Sequence, residues 1–132
     1  WQGAGKVARA QAVWHRAADM ARERAVMLEK RIPTLLRQWQ LADGSGNTAG
    51  EREHEILYLQ AVFYTAQHWD VVAQFSAAAG EPEQQRQALE QLQLLLPRLQ
   101  RDNRLVILAD DPRLAGCAEH LQRWQQQVAA LR

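Results

Sequence analysis

The stretch Glu51-Arg52-Glu53-His54-Glu55-Ile56-Leu57-Tyr58-Leu59-Gln60-Ala61-Val62-Phe63-Tyr64-Thr65-Ala66-Gln67-His68-Trp69-Asp70-Val71-Val72-Ala73-Gln74-Phe75-Ser76-Ala77-Ala78-Ala79 decides the fold. It holds both Phe, both Tyr, one of the five Trp and two of the four His. Leu59, Val62, Phe63, Ala66, Trp69, Ala73 and Ser76 recur by threes and fours, the period of a helix face. Ile56 and Val72 widen that stripe beyond a narrow coiled-coil seam, as a helix touching several neighbours requires. Most of the aromatics on it read as core anchors.

Working outward from this helix, Ala42 to Gly50 is a loop with three glycines, and Thr48 with Glu51 fits a capping box for the helix that follows. Before the loop, Val7, Ala10, Trp14, Ala17, Ala21, Ala25, Leu28, Ile32, Leu35 and Trp39 predict one amphipathic helix over about residues 5–40. It is the longest helix, with a kink expected at Pro33.

Beyond the central helix, Gly80 and Pro82 predict a tight reversal and a third helix from 82. Leu89, Leu92, Leu96 and Leu99, broadened by Leu94 and Leu95, form its face. Asp102-Asn103 is a candidate stop, but Val106 keeps the register and extends the prediction to 109. Asp111 as cap and Pro112 at the first position open a last helix over 112–132. Its seam is Leu114, Cys117, Leu121, Trp124, Val128 and Leu131. The expected architecture is all-α, an antiparallel four-helix bundle in a single domain of 132 residues.

Composition narrows the function classes. Sixteen basic and 15 acidic residues leave a net charge of +1, without the electrostatic footprint of a nucleic-acid binder. No run is apolar enough to span a bilayer and no signal peptide is recognisable. The first residue is Trp1 rather than Met, which suggests a fragment of a longer chain. The single cysteine, Cys117, excludes an internal disulfide and leaves the compartment open.

Glu51 and His54 have the Glu-x-x-His spacing of di-iron bundles, but Cys117 stands where a second Glu is needed before His120. Cys117-Ala118-Glu119-His120 lacks one cysteine of a haem attachment motif. Met20 or Met27 with His120 is a conceivable axial pair, more economically read as core fillers and a boundary residue. The pairs His15/Asp19 and His68/Asp70 have no nucleophile beside them and read as helix-surface pairs. No metal, no cofactor and no catalytic residue is therefore predicted. Tyr58, Tyr64 and His68, lying off the main apolar line, are the predicted ligand or partner groove.

Leu59, Phe63, Trp69, Val72 and Ala79, with Pro82 after them, match large and small apolar positions of a repeat, and in this the segment 56–82 resembles a tetratricopeptide unit. Gln60 departs from the small residue the repeat wants, the turn at Gln67-His68 lacks Gly, and no second unit follows. The resemblance implies a helix–turn–helix adaptor that grips a partner helix.

Two function classes result. The favoured one is a non-catalytic, ligand-sensing bundle, the periplasmic sensor domain of a bacterial membrane receptor of sensor-kinase or chemoreceptor type. Four antiparallel helices put both ends of the chain together, as a domain between two membrane spans outside these residues would have them. The alternative is a cytoplasmic interaction module, a tetratricopeptide-like adaptor or chaperone. A small-molecule ligand or a partner helix is the expected partner, with a homodimer through the last helix.

Overall fold

Among the described residues six α-helical segments occur in the order α1 (Gln2–Glu29), α2 (Ile32–Ala42), α3 (Thr48–Ala78), α4 (Pro82–Gln100), α5 (Arg104–Ile107) and α6 (Cys117–Ala129), with a single 3-10 turn, Arg101–Asn103, between α4 and α5. The computed structural model describes residues 2–131, and among them there is no strand. The protein is an all-α four-helix bundle whose first helical arm, α1 with α2, is the longest and is bent. Among the described residues no helix is long and apolar enough to cross a membrane.

α3 is the hub, packed against α1, α2 and α4, while α6 lies on α4. The periodic face read from the sequence is the face it buries: Ile56, Leu59, Val62, Phe63, Ala66, Trp69, Val72, Ala73 and Ser76 are all in the core. α3 begins at Thr48, so its cap lies one residue before the expected one. Asn47 is the cap, its side chain accepting from Gly50 N at 3.1 Å, and the Glu51 carboxylate instead accepts from Gly44 N. At its other end Glu81 N donates to Ser76 O and Gly80 N to Ala77 O, the two bonds of a Schellman turn. Gly80 takes φ +74° there.

α3 runs unbroken through Gln67-His68. The turn that a tetratricopeptide unit needs at that point is therefore not made, and the resemblance over 56–82 does not extend to a helix–turn–helix.

The predicted 5–40 helix is two. The ladder breaks at Lys30-Arg31, and Pro33 sits in the first turn of α2, where its missing N–H costs nothing. Ile32 beside the break is buried. The early half of α1 also departs from expectation, since residues 4–16 are exposed. Gly80 meets α1 at Gln11 and Glu81 meets it at His15, so the turns of α1 before Gln11 run past the end of α3. Trp14 rests on Phe75, ring centroids 5.3 Å apart, yet stays 40% exposed rather than buried.

α4 ends at Gln100 rather than 109. Pro97 is accommodated inside it, and the backbone then turns left-handed at Asp102 (φ 56°) and Asn103 (φ 55°). Leu105 is buried but Val106 is exposed, so the register that favoured a longer helix does not hold. The last helix starts at Cys117, not 112. The Asp111 carboxylate accepts from Arg113 N at 2.9 Å and closes a local turn, and Gly116 at φ 80° precedes α6. Leu105, Leu108 and Leu114 pin this α4–α6 connection to the core.

The seam of α6 is used within the chain. Leu114, Cys117, Trp124 and Val128 are buried, and the Trp124 ring packs on Phe63 at 5.2 Å. Burial pushes the Cys117 thiol up to about 11, so it stays protonated and unreactive.

Candidate functional site

A cleft of about 810 Å³ opens where three pieces of chain converge: α2, the first turns of α3, and the segment from the end of α4 to Leu108. Such a volume is in the usual range for a small-molecule site, roughly 300–1,000 Å³. The bend at Lys30-Arg31 sends α2 along α3, which brings Trp39 onto Tyr58. Their rings stack at 5.5 Å with an interplanar angle of 26°, forming an aromatic wall.

Glu55 and Arg104 also line the cleft. Glu55 is 5% exposed, and Arg104 reaches it through two bonds, Nε to Oε2 at 2.8 Å and Nη2 to Oε1 at 2.6 Å. These bonds hold the Arg104 guanidinium above its ordinary pKa. A two-point, charge-assisted pair of this kind is among the stronger hydrogen-bonded arrangements. Below it, Arg113 bridges Glu53 and Asp111, and Arg52 reaches Asp110 at 2.8 Å. The hydrogen bonds from Arg113 bring Asp111 down to about 2 and lower Glu53.

The rim is differently disposed. Arg98 lines the cleft but forms no hydrogen bond or ion pair among the described residues, and Arg101 only approaches its neighbour Asp102 at 3.7 Å. Asp43, Thr48 and Glu51 lie in the same lining, on the chain that leaves α2 and enters α3. The cleft thus offers an aromatic wall, a neutralised ion pair in which only the Glu55 side is buried, two guanidinium groups without a firm partner, and carboxylates from a separate part of the chain.

Of the three residues predicted as a groove, only Tyr58 is here. Tyr64 and His68 are not in the lining. Six positions separate Tyr64 from Tyr58, a turn and two-thirds, so the two point to different sides of α3. Tyr64 is 41% exposed and accepts from Gln60, while His68 Nδ1 donates to the Tyr64 carbonyl at 2.8 Å. The three do not form one site.

Trp39, Glu55, Arg98, Arg101 and Arg104 were not anticipated. Trp39 was legible as an inward aromatic. Nothing in the spacing of the sequence places residue 104 against residue 55. Among the described residues no three His, Cys, Asp or Glu side chains gather at a metal-binding distance. No protein-family model, curated protein or solved structure matches the chain.

Proposed function

We propose that the protein is a non-catalytic, ligand-binding helical bundle whose small-molecule site is the cleft between α2, α3 and the end of α4, serving as a sensor domain of a membrane receptor. The observation that carries the reading is the combination of the Trp39–Tyr58 stack with the unpaired Arg98 around a volume of about 810 Å³. An amphipathic carboxylate suits it, its apolar part against the rings and its anionic end at Arg98 and Arg101. Glu55 is held by two bonds to Arg104, which favours a role in shaping the cleft over one in proton transfer. The periplasmic location belongs to the same proposal.

The test is thermal melting with a panel of aromatic and aliphatic carboxylates, including phenylacetate, indole-3-acetate and free amino acids. A ligand at 100 times its dissociation constant adds about 2.7 kcal/mol of stability, enough to raise the midpoint visibly. The rise should vanish in Trp39→Ala and shrink at least about tenfold in apparent affinity in Arg98→Ala. A panel that leaves the midpoint unmoved, or a shift that survives Trp39→Ala, rejects the cleft as the site.

A further inference from the structure

α1 is apolar on two faces, and the fold uses one of them. The buried face carries Ala18, Ala21 and Ala25. On another face Ala10, Val13, Ala17, Met20, Arg24 and Met27 follow at spacings of 3, 4, 3, 4 and 3, a coiled-coil seam interrupted once by a cation. Its large members are in water: Val13 is 65% exposed, Met20 56% and Met27 66%. A helix that only covers a monomer's surface has a polar outer face. An apolar strip broken only at Arg24, about 21 Å along the axis from Val13 to Met27, fits an interface instead.

We infer that this strip is where a second copy of the chain docks, with the two α1 helices antiparallel. The charges beside the seam select both occupant and direction. Arg16 and Glu23 flank it on one side, exposed, and neither is in an ion pair within the chain among the described residues. Asp19 and Arg22, off the seam, are already paired with each other at 2.7 Å. With Ala17 opposite Met20 of the other copy, Arg16 of each copy comes beside Glu23 of the other, twice by symmetry. Arg24 then faces Val13 of the other copy and can lay its aliphatic stem along the seam. A parallel arrangement sets Arg24 against Arg24 and pairs neither flank, so the antiparallel one is preferred. Alanines at 10 and 17 permit close approach. Further out the same alignment opposes Arg9 and Lys30, like charges, which confines the contact to the middle of the helix and keeps the dimer weak.

Sedimentation equilibrium on the full chain over a wide concentration range is the test. The mass should climb from 15.1 kDa toward twice that value. Arg16→Glu or Glu23→Arg alone should weaken the dimer by about tenfold, since each makes two repulsive pairs. The double exchange R16E/E23R should restore it, and Lys30→Glu should tighten it by creating an attractive pair with Arg9. These are exposed positions, and unchanged helical circular dichroism verifies folding of each variant. A chain that is monomeric throughout overturns the inference. So does a double exchange that fails to restore the dimer, which would indicate a different partner or a different face.

Discussion

Glu55 and Arg104 show how much one pair depends on which member is lost. The Glu55 side chain is 7% exposed and that of Arg104 35%. Deleting the arginine strands a carboxylate in the core, whereas neutralising the acid leaves a guanidinium that can swing to water. Arg104→Ala is therefore expected to cost about 3 kcal/mol in urea unfolding, and Glu55→Gln roughly 1–2 kcal/mol. Equal losses would mean that the pair is solvated in solution. Tyr58 makes a related point at the same scale, since its neighbours in the sequence pattern, Tyr64 and His68, turn out to be neighbours only along α3 and not across the cleft.

At the scale of the element, the end of α4 decides where the cleft lies. Had α4 continued in register past Gln100, Arg104 would have pointed along the helix rather than back to Glu55. The left-handed pair Asp102 and Asn103 makes the turn. Asn tolerates that conformation and a β-branched residue does not. Asn103→Val should accordingly destabilise the protein by about 1–2 kcal/mol, and Asn103→Gly should leave stability within about 0.5 kcal/mol of the parent, read from thermal melts. The break at Lys30-Arg31 has the complementary role. It frees α2 to bring Trp39 onto Tyr58 while α1 continues to pack along α3.

At the scale of the whole molecule, the ion-pair network of Arg113 with Glu53 and Asp111 ties the start of α3 to the α4–α6 connection. The arginine's hydrogen bonds hold Asp111 at about 2, below the ordinary value of 3.8. A carboxylate whose folded-state pKa is depressed stabilises the fold above its unfolded value and loses that contribution as pH falls through the folded one. Stability measured by urea unfolding should therefore decline from about pH 4 to pH 2, and the decline should be shallower in Arg113→Ala. An identical slope in that variant would place the acid sensitivity elsewhere.

Local periodicity was enough to read the inward face of α3, the reversal at Gly80 and the all-α class, because helix period, glycine geometry and caps act within a few residues. The start of α6 and the end of α4 were not legible, since Pro112 and Val106 satisfy local rules that the turn at Asp111 and the left-handed residues override. Trp14 fits the period of α1 but lies where its neighbours run out, and periodicity says which side of a helix is apolar without saying how far another helix extends along it. The cleft required tertiary structure altogether. Trp39 with Tyr58 and Glu55 with Arg104 meet across 19 and 49 positions of chain, and such pairings are set by how bent helices pack, a property no local pattern of residues encodes.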